Sequence, residues 1–267
     1  MTEELPEKPV ELVVTGERAE RESDFWGHSL ASMDECLKEY HSGLDGNTRH
    51  AIDCLEPLAG RRVLDFACGQ GIASCLLAER GAHVIGIDIT PESIEMAREL
   101  ASRLGISAEF MCADLLTLEP LPTVDRVFGR YALHHVDPVL FGTRLAAALA
   151  PGGWGAFIET TYTNPILRLS RGHLLGRFGV ARLGTLDERP LDQHDFADLA
   201  QIFGSLDDEV SELSFMRILD RNALKFRWPA VTRLFEGIDD TLQKAARLRW
   251  LSYHHVLVVG KKPGSPK

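Results

Sequence analysis

From residue 61 onward the apolar positions fall into short runs, separated by longer stretches of helical spacing. The runs Val63–Phe66 and His83–Asp88 are nearly continuous, as strands covered on both faces are. Helices are predicted between the runs. One covers 70–80, beginning near Ile72 after a small-residue turn. The next covers 91–104, with Thr90 as its cap, Pro91 at a favourable first position and Gly105 at its end. Ala108–Leu115 predicts a third strand with its exit loop, and 124–130 a fourth. A helix over 138–150 is stopped by Pro151-Gly152-Gly153, and 154–161 is the fifth strand. Further on, the pattern predicts a helix over 193–203 ending at Gly204 and a sixth strand over 209–219. A helical stretch follows over 222–250, broken or begun at Pro229, and a closing strand over 253–261. Upstream, 33–40 and 47–58 read as helices, the second capped by Asn47 or Thr48. Strands alternating with helices predict an α/β fold built on a doubly wound sheet.

The turn after the first run carries the chemistry. In Val63-Leu64-Asp65-Phe66-Ala67-Cys68-Gly69-Gln70-Gly71, two glycines let the backbone approach a ligand where the N–H groups of a new helix are free. The second run ends in Asp88, where a doubly wound fold places an acid for a ribose diol. The dinucleotide fingerprint G-x-G-x-x-G is incomplete: Ile72 or Ser74 stands at the third glycine position. Asp65 at the end of the first strand suits a cofactor bearing an ammonium group. Asp114, after the third strand, is placed to accept from an adenine amino group. Ribose, adenine and a zwitterionic tail together describe S-adenosylmethionine. Cys68 is read as packing in this loop.

Composition narrows the alternatives. Apolar residues make up 45% of the 267, enough for a full core, and one α/β domain with a decorated edge is the expected organisation. The net charge of −10 disfavours a nucleic-acid partner, which needs clustered Lys and Arg. The first 24 residues hold eight acids and three bases and are expected to fray at their start. The five cysteines form no C-x-x-C pair, which fits a reducing cytoplasm. There is no basic-plus-apolar leader and no apolar run of membrane-spanning length. The histidines read as scattered, without metal-ligand spacing, so no metal site is expected.

VLDFACGQG, GIDIT, CADLL, VFGRYALHHV and LAPGGW, in that order over residues 47–160, resemble the successive motifs of class I S-adenosylmethionine-dependent methyltransferases of the small-molecule type. Ala67 stands where many members carry glycine. The resemblance implies a seven-stranded Rossmann-like sheet of order 3-2-1-4-5-7-6, its last strand antiparallel. It implies S-adenosylmethionine as cofactor, held by Asp65, Ala67, Gly69, Gly71, Asp88, Ile89, Asp114, Leu115 and Arg130. The expected organisation is one domain: an acidic stretch at 1–22, N-terminal helices over 23–60, a cofactor-binding core over 61–161, and substrate-side insertions at 162–190 and 222–250. The partner is a small-molecule acceptor, with the oligomeric state open and a homodimer among the alternatives.

Methyl transfer from a sulfonium asks the protein to align the reactants, exclude water and sometimes remove a proton. His135 stands five residues after Arg130, the spacing of the catalytic histidine in phosphoethanolamine-type methyltransferases, and is favoured as base or orienter. His134 is its rival, and packing is the plainer role for both. Arg130 offers its carbonyl to the methionine tail, or its side chain to Asp125 or to a helix end. Tyr40, Trp26 and Phe25 are read as a cofactor lid or as core. Arg168, Arg171, His173, Arg177 and Arg182 among leucines suit an anionic or amphipathic substrate, a membrane surface, or a solvated lid helix. Alternation on the closing strand turns one of His254 and His255 inward. Two other readings compete. A nicotinamide-dependent oxidoreductase needs the missing third glycine and a Tyr-x-x-x-Lys pair, which none of the four tyrosines supplies. A non-catalytic protein of the same fold has no need of acids at 65, 88 and 114.

Overall fold

The computed structural model describes residues 17–28, 30–165, 189–213, 215–220 and 224–260. Its strands form a seven-stranded sheet in the order β3-β2-β1-β4-β5-β7-β6, the order the resemblance implies. The strands are β1 (Arg62–Phe66), β2 (His83–Asp88), β3 (Glu109–Cys112), β4 (Val124–Arg130), β5 (Leu149–Thr160), β6 (Leu206–Glu209) and β7 (His254–Val259). The chain divides into two compact units. The first holds Met1–Leu44, Pro57–Gly129 and Ala147–Pro151; the second holds Asp45–Glu56, Arg130–Ala146 and Gly152–Lys267.

In the first unit β1 pairs in parallel with β2 and with β4, and β2 with β3. Val63, Leu64, Val84, Ile85, Ile87, Val127 and Phe128 are all buried, which is why these strands read as apolar runs without alternation. Two helices cover them: α4 (Ile72–Glu79) and α5 (Pro91–Leu104). In α5, Ile94, Ala97, Leu100 and Ala101 form the buried stripe, at the spacing of one helical face. The unit also holds α1 (Glu17–Gly27) and α2 (Met33–Ser42). In α2, Ser32 and Glu35 close a reciprocal capping box.

In the second unit β7 pairs antiparallel with both β5 and β6. Ala156, Phe157, Ile158 and Val256–Val259 form its apolar centre. Its helices are α3 (Gly46–Cys54), the body of α6 (Pro138–Ala148), α7 (Gln193–Phe203), α8 (Met216–Leu219) and α9 (Pro229–Gln243). A short 3-10 turn covers Ala246–Leu251. Among the described residues, no helix is long and apolar enough to cross a membrane.

Several boundaries differ from expectation, each for a local reason. The cap of α3 is Asp45, not Asn47 or Thr48: its carboxylate accepts from the backbone and the hydroxyl of Thr48, at 3.0 and 2.6 Å. That helix stops at Cys54, not 58, because Pro57 disfavours helical backbone at the residue before it. Helix α6 ends at Ala148, and β5 already includes Pro151-Gly152-Gly153, ahead of the ladder with β7 that begins at Gly155. The sixth strand covers 206–209 rather than 209–219. The residues after it turn into α8, because the buried Asp239 carboxylate of α9 accepts from the N–H groups of Phe215, Met216 and Arg217, at 3.2, 2.9 and 3.0 Å. Pro229 begins α9 rather than breaking a longer helix.

Asp239→Ala is expected to cost about 1–3 kcal/mol, since it strands three amide donors. A lowered urea midpoint is the measurement. Asp239→Asn, which keeps an acceptor, falls between the two; an unchanged midpoint in both would mean that the carboxylate does not organise α8.

Candidate functional site

The glycine turn after β1 is held by the acid at the end of β2. Asp88 Oδ2 accepts from the N–H of Gly69 at 2.8 Å and Oδ1 from the N–H of Thr90 at 2.9 Å. Burial pushes the Asp88 carboxyl above its usual range, while the Thr90 and Gly69 amides pull it back. Asp65 is 1% exposed, and the Ser74 hydroxyl of α4 donates to it at 2.5 Å. Asp114 Oδ1 accepts from the N–H of Leu116 at 2.9 Å, in a turn that buries Leu115. Asp65, Asp88 and Asp114 thus stand at or just beyond the carboxyl ends of β1, β2 and β3, where open α/β sheets bind ligands. Ile89, between Asp88 and Thr90, is half-buried.

Three residues of the turn adopt left-handed backbone: Ala67, Gly69 and Gly71, with φ of 50, 52 and 77°. Ala67 bears the strain that glycine would avoid, and it is exposed. A Cβ on Gly69 would meet nothing within 4 Å, so the loop is open on that side. A Cβ on Gly71 would lie 2.7 Å from that of Ala97 and 3.0 Å from the Phe110 ring, so here glycine is needed for close packing. The Cys68 thiol is pushed well above its usual range by burial and by Asp65 and Asp88, which fits the packing role.

A residue the sequence reading passed over joins this loop to the N-terminal segment. Gln70 accepts from the N–H of Ala31 at 3.0 Å and donates to its carbonyl at 2.7 Å. Phe25 and Trp26, edge to face at 5.1 Å on α1, are partly exposed. Tyr40 is buried on α2. Burial, then the charge of Glu79, pushes its hydroxyl to about 12, so it is a neutral phenol at pH 7.

The second unit holds the histidine pair. Its organiser is Glu159 of β5, which the sequence reading also missed. Glu159 is fully buried; Oε1 accepts from the N–H groups of Ala132 and Leu133, at 3.0 and 2.8 Å, and Oε2 meets His134 Nδ1 at 2.8 Å. The signal available in the sequence was an acid at the end of an apolar strand, which requires partners. A carboxylate acceptor fixes the His134 proton on Nδ1 and leaves the lone pair on Nε2. The His135 ring lies 4.3 Å from that of His134 and is less buried. Arg130 reaches Asp45, the cap of α3, at 3.5 Å and lies over the Tyr131 ring. Its partner is therefore a helix end and not Asp125, which accepts instead from Arg61 and from the backbone of Arg62. His255 is the inward member of the pair on β7, bonded to Asp208 at 2.6 Å. A cavity of about 670 Å³ near α8 and α9 is lined by Arg217, Phe226 and Arg233 and by none of these residues. The basic stretch 168–182 lies outside the described residues.

Residues 63–153 match the family model of a methyltransferase domain. A ubiquinone biosynthesis O-methyltransferase of Paracidovorax citrulli is 36% identical over 153 residues, 55% of this chain and 60% of that protein. A protein of the same name from Xylella fastidiosa is 42% identical over 101 residues, 36% of this chain and 41% of that one. The chain therefore spans about half the length of these curated relatives. The crystal structure of geranyl diphosphate C-methyltransferase from Streptomyces coelicolor superposes with a TM-score of 0.62 at 13% identity, covering 92% of this chain and 98% of that one. That likeness is one of fold.

The two glycines predict different losses. Gly71→Ala combines left-handed strain with overpacking, and is expected to cost about 2–4 kcal/mol. Gly69→Ala meets open space and should cost only the strain, about 1–2 kcal/mol. Chemical denaturation of the two variants tests the ranking, and an equal loss would contradict it.

Proposed function

We propose that this chain is a class I S-adenosylmethionine-dependent methyltransferase and moves a methyl group to a small-molecule acceptor. The observation that carries the proposal is the loop after β1, open beside Gly69, with Asp65, Asp88 and Asp114 at the carboxyl ends of three neighbouring strands. When bound, S-adenosylmethionine supplies a methyl group already activated on sulfur. Asp88, at the carboxyl end of β2, accepts from the ribose hydroxyls. Asp114 accepts the adenine amino group, beside apolar walls from Ile89 and Leu115. Asp65 supplies the negative charge for the ammonium group, and the backbone of Ala67, Gly69 and Gly71 lines the tail. Gln70 holds the N-terminal segment to the loop, which supports Phe25 and Trp26 as a cover that excludes water.

For the acceptor, a hydroxyl is favoured, because the matched relatives are named O-methyltransferases and a hydroxyl profits from proton removal. His135 is the proposed proton acceptor. His134, tied to Glu159, orients it.

S-adenosylhomocysteine is expected to bind in calorimetry where NAD and NADP do not; the reverse result would defeat the proposal. Asp88→Ala should weaken that binding by about 1.5–3 kcal/mol, a loss of roughly tenfold to hundredfold. His135→Ala should leave cofactor affinity intact and lower turnover by about 10²–10⁴-fold. If His134→Ala alone abolishes turnover, the roles of the two histidines are exchanged. Glu159→Gln, which keeps one amide-accepting oxygen, should lower turnover and shift its pH profile with the fold preserved. An unaltered profile would reduce Glu159 to a structural role.

A further inference from the structure

The second unit brings together three side chains that ligate metals well. His50 and Cys54 stand four residues apart on α3 and so share one helix face. Glu209, the last residue of β6, reaches them: its Oε2 contacts His50 Nε2, and Cys54 Sγ lies 3.7 Å from the same nitrogen. The three donor atoms all lie within 4.8 Å of one another. We propose that His50, Cys54 and Glu209 form a binding site for a borderline transition-metal ion of the zinc class, which staples α3 to β6.

The donor set selects the ion. One imidazole nitrogen, one thiolate and one carboxylate suit zinc or cobalt, whereas calcium and magnesium ask for oxygen alone. Three protein ligands leave the fourth tetrahedral position to water. Metal bonds of about 2.0–2.2 Å at a tetrahedral angle require ~3.3 Å between nitrogen and oxygen, so the His50–Glu209 contact must open. Both side chains can yield, being 33% and 41% exposed.

The backbone positions of the ligands are fixed by bonds that owe nothing to a metal. Asn47 on α3 accepts from the N–H groups of Ser211 and Glu212, at 3.1 and 3.0 Å, and donates to the Glu212 carbonyl at 2.9 Å. This clamp ties α3 to the residues that follow Glu209. At the other end of α3, the Trp154 indole donates to the Cys54 carbonyl at 3.0 Å. The site is thus pre-organised, and binding need not order the chain. The expectation that no histidine has metal-ligand spacing overlooked His50-x-x-x-Cys54, whose third partner comes from a distant strand.

The test uses the full chain, stripped by a chelator and titrated with Zn²⁺ and then with Co²⁺. One equivalent is expected to bind, the thermal midpoint to rise with metal concentration, and cobalt to show a thiolate charge-transfer absorption. Cys54→Ser should abolish that absorption. Cys54→Ser and His50→Ala should each weaken zinc binding by at least ~100-fold, beyond the ~10–100-fold that loss of an outer partner costs. Cys112→Ser, outside the cluster, should change none of these. A cobalt spectrum without the thiolate band, or zinc binding undiminished in folded Cys54→Ser, overturns the proposal. If Cys54→Ser does not fold, Glu209→Gln decides: a loss of at least ~100-fold supports the proposal, and any smaller loss overturns it.

Discussion

The first unit depends on one constraint: β1 and β2 run side by side in parallel, so the turn after one meets the last side chain of the other. Asp88 then receives the amides of Gly69 and Thr90, which belong to two different turns. A glycine loop alone has many conformations of similar energy. A buried carboxyl that must find donors selects the one in which Gly69 N points at it. Ala67 is then forced into left-handed backbone, a cost of about 1–2 kcal/mol that the surrounding bonds must offset. The same carboxylate that shapes the loop is the one proposed to meet the ribose. Loop geometry and ligand affinity are therefore linked in a single side chain.

The second unit solves a similar problem with a different acid. After β4 the chain leaves the sheet through Tyr131, again in left-handed backbone, and enters a short 3-10 turn over Leu133–His135, whose first amides, those of Ala132 and Leu133, no carbonyl of the turn itself accepts. Glu159 takes both, and spends its other oxygen on His134. Burial of a carboxylate is costly unless it is hydrogen-bonded, and here three partners engage its two oxygens. The carboxylate thereby fixes the local path of the chain and one histidine tautomer together. This coupling explains why an acid persists at the end of a strand whose other buried residues are apolar.

How much of this was legible in the sequence follows from the range of each interaction. Helices α5 and α7 match their predicted limits residue for residue, because Pro91, Gly105, Asp192 and Gly204 mark their ends locally. The sheet order was implied by the family resemblance and not by spacing, whereas the places of Asp65, Asp88 and Asp114 at strand ends follow from where the apolar runs stop. The misplaced sixth strand was not legible. The alternation over 209–219 is genuine, but Asp239 on another helix decides that those amides cap α8 instead. Arg130 was likewise ambiguous until folding brought Asp45, rather than Asp125, to it.

Glu159, Gln70 and the His50–Cys54–Glu209 cluster share a further property that kept them hidden: each acts through partners far along the chain. A motif can be read when its groups lie within one loop, as at 65–71. It cannot be read when one group lies in the motif and its orienting partner in another strand. Acids that end buried strands, as Asp65, Asp88 and Glu159 do, repay attention for this reason. Their burial must be compensated by donors, and the nearest donors are the amides of the loops at the sheet's carboxyl edge, where open α/β sheets place their ligands.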